Sequence, residues 1–434
     1  MSSNSRRKES VFSNRNFCLT FFGALVSELG ALLYSFAVSF YILEISENDA
    51  FLQGLYLALC GVALLLLTPV GGVLGDRFHK AKIMVVCDCM KGASILLATA
   101  LMLFFPASRA QLIVLFLLGV LGNAVSGVFT PAAGALLPHI VQEEKLQQAN
   151  AYFAMKSALV SIGGIVLAGI LYAALPVHAL FFLVGLCFIA SAVSEMFIRY
   201  DHRPAPERLT LRLALRDMGD GLRYLKGQRA ILSLLGAILF INFFFDPITG
   251  NFIPFFVKTD LAAAPSYLFK KLLTPELWSS VFSVCFGLST LLGAAILSAR
   301  PQEEKCGHKT AVRLCITAAI MIALTGGYWI LVDRGVSLNA FLILFSLGCL
   351  AMGALISFIN IPVSTALMRI VDKDKLSKVN SITSIGSQGM TPLAAVLAGI
   401  VIDSLGSAPL LALCSLGFAV TALTMLFNKR IKEI

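Results

Sequence analysis

Twelve long apolar stretches separated by short polar connections limit this chain more than any other feature. They run approximately over 17–43, 51–75, 83–105, 111–138, 149–174 and 178–198, and then over 230–257, 277–299, 310–332, 339–369, 379–403 and 408–428. Each reaches the ~20 residues that a helix needs to cross a hydrocarbon layer of ~30 Å. Helix is the form available to them, because lipid offers no water to a free backbone group or an open strand edge. Of the 434 residues 58% are apolar and 13% charged, against about 25% charged in an average soluble domain. A soluble enzyme is excluded. The prediction is an all-α polytopic membrane protein with twelve transmembrane helices in two six-helix bundles.

The basic residues orient the spans. The net charge of +10 would suggest a polyanionic partner in a soluble protein, but here it is segregated by side. With the N-terminus in the cytoplasm, 27 of the 34 Lys and Arg fall on the inner connections and termini. Arg109, Lys258, Lys270, Lys271 and Arg334 fall on the outer ones, and Lys91 and Lys156 lie inside spans. This is the bias that sets membrane orientation. It predicts an integral plasma-membrane protein, of bacterial type, with both termini cytoplasmic and no nucleic-acid partner. The run from Phe17 to Leu43 after Arg6-Arg7-Lys8 is too long for a signal-peptide core, and is expected to stay as the first span.

The chain also repeats itself. A shift of 230 residues lays Ile140–Asn150 on Ile370–Asn380 and Val166–Ile170 on Val396–Ile400, with Lys, Leu and Asn matching inside a polar loop. Six spans is an even number, so the two halves share one orientation, a parallel pseudo-repeat of the kind found in two-bundle transporters. The expected division is a bundle over 1–198, a linker over 199–229 and a bundle over 230–434. In the linker Leu211, Leu215, Met218, Leu222 and Leu225 recur at helical spacing among arginines, as in an amphipathic helix on the inner leaflet. A solvated linker is the alternative.

Metal and redox chemistry find little support. Most of the ten cysteines lie in apolar runs, Cys87 and Cys89 diverge on a helix, and no two of the five histidines share helical spacing. No cofactor and no metal site are expected, and no Gly-x-x-x-x-Gly-Lys-Ser/Thr signature for a nucleotide is present.

After the second span comes Gly72-Val-Leu-Gly-Asp76-Arg77-Phe-His-Lys80. This resembles the signature loop of the major facilitator superfamily, with Asp76 and Arg77 matching position for position and His79 standing where the family usually has Gly. The resemblance implies the major facilitator fold and a conformational switch made by Gly72, Asp76, Arg77 and Lys80. Asp76 would dock near Val379–Ser381 at the start of span 11. Phe129-Thr-Pro131 through Pro138, the Glu-Glu-Lys-Leu-Gln-Gln-Ala-Asn150 loop and Gly221-Leu-Arg-Tyr-Leu-Lys226 are similar to the macrolide-efflux and siderophore-exporter branch. Two features depart from proton-coupled drug exporters. Span 4 reads Leu118-Gly-Val-Leu-Gly-Asn123 without an Arg, and span 5 has Gly164 to Gly169 without a Pro.

Charges inside spans are costly, about 2.5–3.5 kcal/mol at the centre on insertion scales, and should face protein or a wet cavity. Glu28 in span 1 and Asp246 in span 7, its repeat counterpart, are the candidates for binding a proton or another cation. Asp246-Pro247 as a plain helix break is the alternative. Asp88 and Lys91 form an expected intrahelical pair. Lys156 is expected to snorkel, or to meet an anionic substrate. Glu195 is expected at the interface. Asn123, Phe129, Asn242, Phe245, Asn251, Asn360 and Gln388 are candidates to line an apolar cavity with a few orienting polar groups, suited to a bulky amphipathic molecule. The function read from these residues is secondary active, proton-coupled export of such a molecule by a monomer. The alternatives are uptake or facilitated transport of a small nutrient, or translocation of a lipid-like substrate.

Overall fold

The computed structural model describes residues 11–104, 109–142, 145–200, 223, 229–298, 307–370 and 389–428, and the regular structure among them is helical. The first helices are α1 (Arg15–Ile45), α2 (Ala50–Arg77), α3 (Lys80–Phe104) and α4 (Arg109–Ile140). Next, α5 is built from Leu146–Leu159, a π-helical turn Val160–Gly164 and Ile165–Ala174, and is followed by α6 (Val177–Met196). In the second half, α7 begins as Arg229–Pro247 and continues through π-helical turns Ile248–Phe252 and Val257–Leu261 on either side of Ile253–Phe256. Then come α8 (Pro275–Ser298), α9 (Gly307–Tyr328 with a terminal π turn Trp329–Asp333), α10 (Leu338–Ile370), α11 (Thr391–Leu405) and α12 (Ser407–Phe427).

Among the described residues, eleven helices are long and apolar enough to cross a membrane, and α11 is shorter. The expected stretch 379–388 of span 11, Gln388 and nearly all of the 199–229 linker lie outside the described residues. Asp76 and Arg77 close α2, with their side chains outside the described set.

Cα packing resolves two compact units. One comprises 1–37, 63–167 and 175–211; the other comprises 38–62, 168–174 and 212–434. The end of α1, the start of α2 and the end of α5 therefore belong with the second unit.

In the first unit α3 packs most extensively against α6, and also against α4. The start of α1 is tied down by polar side chains. Asn14 Oδ1 accepts the backbone N–H groups of Asn16 (2.9 Å) and Phe17 (3.3 Å) as an N-cap, while its Nδ2 donates to the Ile140 carbonyl at the end of α4 (2.6 Å). Ser191 and Ser194 of α6 donate to the Gly23 and Leu19 carbonyls of α1, each at 3.0 Å. Phe12, Phe17, Phe21 and Tyr152 form an aromatic cluster at the same end.

The second unit repeats the plan. The α9–α12 pair corresponds to α3–α6, six helices earlier, and α8 packs along α10. Helix pairs in lipid gain from close backbone approach rather than from hydrophobic exclusion, so small residues mark the contacts. A Cβ on Gly127 of α4 would lie 2.6 Å from the Leu64 carbonyl of α2. A Cβ on Gly353 of α10 would overlap the Phe286 carbonyl of α8. Beside Gly353, Ser357 donates to the Thr290 carbonyl (2.6 Å) and Thr290 donates to the Gly353 carbonyl (3.1 Å).

Gly353→Val should therefore lower stability by about 1–3 kcal/mol, the usual cost of overpacking. Gly122→Ala, where nothing lies within 4 Å of the added Cβ, should be neutral or slightly stabilising. Thermal unfolding of both variants in detergent checks this, and equal midpoints would contradict the close-packing account.

Candidate functional site

The charges inside the spans are gathered by helix pairing into separate groups. In the first unit, Glu28 of α1 meets Lys156 of α5. The Lys156 ammonium lies 2.6 Å from Glu28 Oε2, and Ser157 donates to the same oxygen at 3.2 Å. The Lys156 side chain is 6% exposed and that of Glu28 37%. Lys156 also sits 5.0 Å from the centre of the Phe153 ring. The expectation that Lys156 snorkels is corrected: a carboxylate on the neighbouring helix gives its ammonium a partner inside the span. The π turn of α5 starts at Val160, directly after this pair, a position where such irregular turns often serve function.

The expected Asp88–Lys91 pair is present at 3.4 Å on α3, three residues apart. Asp88 is fully buried and also accepts from Ser27 of α1 at 3.4 Å. Phe129 lies against the Lys91 ammonium, 4.2 Å from ring centre to nitrogen. Glu195, expected at the interface, is instead 1% exposed. The cause is the packing of α6 against α3 and against Gly23 of α1, where an added Cβ would lie 3.5 Å from Glu195 Cγ.

Asp246 stands on α7 in the second unit. Its Oδ2 accepts a hydrogen bond from Thr391 at the start of α11 (2.6 Å). Pro247 has no N–H to donate and crowds the turn before it, and the π turn Ile248–Phe252 follows. Asp246 thus serves a second helix rather than the freed backbone of its own. Asn251 in that turn is 1% exposed and donates to the Ala395 carbonyl of α11 (3.2 Å). Gln53 of α2, fully buried, donates to Ser39 Oγ (2.9 Å) and reaches the Gly250 carbonyl (3.4 Å).

The remaining candidates are dispersed. Asn123 donates to the Gly119 carbonyl within α4 (3.0 Å), and Phe245 packs on Phe286 with ring centres 5.8 Å apart. Asn242 is half-buried and Asn360 exposed. In the switch loop, Lys80 is buried, its backbone N–H lies 2.8 Å from the Tyr200 hydroxyl, and a Cβ on Gly72 would meet nothing within 4 Å. Among the described residues no group of three His, Cys, Asp or Glu is placed to hold a metal ion.

A further polar constellation closes the end of the second unit at the α1–α2 turn. Tyr172 donates to Glu44 Oε2 (3.3 Å), and Lys258 pairs with Glu44 (3.0 Å) and Glu276 (3.8 Å). Asp403 of α11 accepts the Ala50 and Phe51 N–H groups at 2.9 and 2.7 Å. Asp49 caps Leu52 at 2.9 Å, so the first three N–H groups of α2 are satisfied by two carboxylates. Sequence reasoning missed Asp403. Its signal was an acid in the last turn of a helix, which the macrodipole disfavours unless the acid serves the positive end of another helix.

The helix pairs repeated within the two units, among the described residues, agree with the match of residues 20–395 to a family described as Major Facilitator Superfamily. The chain belongs to the major facilitator superfamily. It is 26% identical over 435 residues to the uncharacterised MFS-type transporter YfiS of Bacillus subtilis, covering 98% of this chain and 95% of that one. It is 24% identical over 388 residues to Macrolide efflux protein A of Streptococcus pyogenes, covering 88% of each. In fold it resembles a POT family transporter solved in complex with 5-aminolevulinic acid, at a TM-score of 0.75 and 13% identity over 98% of both chains. Membership in this transporter superfamily implies an integral membrane protein with a small-molecule substrate.

The Glu28–Lys156 pair is unequal in burial, and its two halves should respond unequally to substitution. E28Q leaves a nearly buried ammonium without its counter-charge, whereas K156M leaves a carboxylate that water can still reach. E28Q should lose about 1–3 kcal/mol and K156M less, with the double variant regaining part of the loss. A double-mutant cycle on thermal unfolding checks this; strictly additive losses would show the pair to be uncoupled.

Proposed function

We propose that this superfamily member is a secondary active exporter of a bulky amphipathic organic molecule of the macrolide type, driven by protons moving the opposite way. The observation that carries the reading is the Glu28–Lys156 ion pair, in which an intramembrane carboxylate is held by a single cation and remains one-third exposed. Protonating Glu28 removes the attraction and frees Lys156, so proton occupancy and helix contact are linked at one point. Asp246 on α7, bound to Thr391 of α11, is an intramembrane carboxylate on the corresponding span of the second half. The similarity to Macrolide efflux protein A supports the substrate class and the outward direction.

The mechanism is alternating access by two six-helix bundles, 1–198 and 230–434, in a monomer with both termini in the cytoplasm. In that orientation the Glu44–Lys258 pair and the Asp403 cap face outward. They hold residues of both halves of the chain together on that side and must part for release. One proton entering down about 100 mV supplies about 2.3 kcal/mol, which supports a concentration ratio of roughly fifty for a neutral substrate. One coupling carboxylate is therefore enough. The uncharged Leu118–Asn123 stretch, where proton-coupled exporters usually carry Arg, favours a second reading: facilitated or lipid-like transport with no proton.

Inside-out vesicles containing the protein and a pH-sensitive dye separate the two. Adding a macrolide should dissipate an imposed pH gradient, and E28Q should abolish uphill accumulation while leaving equilibrium exchange intact. Accumulation that ignores the pH gradient would reject antiport, and normal uphill transport by E28Q would remove Glu28 from the mechanism.

A further inference from the structure

The export reading leaves Glu195 unused. It lies on α6 one residue before Met196, is 1% exposed, and neither of its carboxylate oxygens has a hydrogen-bond partner. The charges that act on it most closely stand on α3. Asp88 and Lys91 of α3 both lie within electrostatic reach of Glu195. Asp88 Oδ1 takes Lys91 and Ser27, each at 3.4 Å, and the Ser191 hydroxyl of α6 stands beside the same carboxyl. The Lys91 ammonium, on a residue 7% exposed, is covered by the Phe129 and Phe188 rings at 4.2 and 5.3 Å.

Two carboxyls and one ammonium leave one negative charge over, on residues less than a tenth exposed, where an uncompensated charge is strongly disfavoured. Among the described residues, the basic groups nearest Glu195 besides Lys91 are Lys82 and Arg199, which line a cavity beside it without hydrogen-bonding to its carboxylate. From α1, Gly23 and Ser27 face the cluster, and the neighbouring Glu28 is engaged with Lys156. From α6, Ser191 gives its proton to the Gly23 carbonyl, and from α3 the further titratable group is the buried thiol of Cys87.

We propose that Asp88, Lys91 and Glu195 form a proton-binding site inside the first unit, in which one of the two carboxyls carries a proton. A proton fits where a metal cation does not. Hard cations take about six or more oxygen ligands, whereas this cluster offers two carboxyls and one hydroxyl with an ammonium already beside them. A cavity adjoins the site. Its volume is about 780 Å³, it touches Glu195, and it is lined also by His79, Lys82, Arg199 and Tyr200. The His79 ring lies 4.4 Å from that of Tyr200, and an imidazole is the side chain that exchanges protons near neutrality. In the orientation proposed above this cavity opens toward the cytoplasm. Loss of the proton would leave net negative charge at the seam that joins α1 to α3 and α6. The site uses neither Glu28 nor Asp246, so it stands or falls independently of the export reading.

Infrared difference spectroscopy of the full chain in liposomes, recorded across a pH titration without substrate, tests the charge count. The wild type should show a protonated-carboxyl C=O band near neutral pH that disappears in E195Q. D88N should lose it too, because a single remaining carboxylate balances Lys91; E28Q and D246N should retain it. K91M tests the count in the opposite sense: with two carboxyls and no ammonium, the band should grow about twofold. Far-UV circular dichroism of each variant confirms that it is folded. Wild-type spectra without such a band, a band undiminished in E195Q and D88N, or one unchanged in K91M would overturn the proposal.

Discussion

Water is missing from the interior of a bilayer, and the organisation of this protein follows from that. A charge there has no solvent shell, so each must find a partner in the protein, and which partner it finds fixes what it can do. An ion pair open to water contributes about 0–1 kcal/mol, while removing one member of a buried pair costs about 3–5 kcal/mol. The described charges span this range. Glu28 with Lys156 is half open, Asp88 with Lys91 is closed, and Glu44 with Lys258 sits at a helix end with half of the Glu44 side chain exposed. The first suits exchange with a diffusing ion, the second retention, and the third a contact that can be made and broken.

The same absence of water explains how the helices are held. With no hydrophobic gain from touching one another in lipid, helices associate where backbones come close and hydroxyls can bridge. Gly127 and Gly353 mark corresponding pairs in the two halves, α2 with α4 and α8 with α10. Serines stitch α6 to α1 through the Leu19 and Gly23 carbonyls. Regularity gives way in α5, α7 and α9, whose π turns widen the helix. In α5 and α7 a π turn lies just beyond an intramembrane acid or its partner.

The fold was legible because its controlling signals are local. Span length, apolar content and the repeat between Ile140–Asn150 and Ile370–Asn380 each need no knowledge of three-dimensional contacts. Side-chain partnerships were legible only within one helix, as for Asp88 and Lys91 at a spacing of three. Lys156 was misjudged because its partner Glu28 is 128 positions away, and a long side chain near a helix end can equally well reach water. Glu195 was misjudged for the opposite reason: its place near the end of α6 suggested solvent, while the packing of α6 against α3 and against Gly23 of α1 buries it. Asp246 stands out in the sequence as a charge in a span, but its bond to Thr391 depends on how α11 lies beside α7, which no local pattern encodes.

The cap of α2 has a consequence of its own. Asp403 holds the first N–H groups of a helix that begins 353 positions earlier in the chain, and both Asp403 and the Phe51 amide are exposed. When that contact parts, water can take over both the carboxylate and the amides, so neither is left stranded in lipid. The fastening is thus built from groups whose substitute is always at hand. Its grip depends on the ions dissolved in the adjoining medium, which makes the ease of unfastening this end a property of the compartment as much as of the protein.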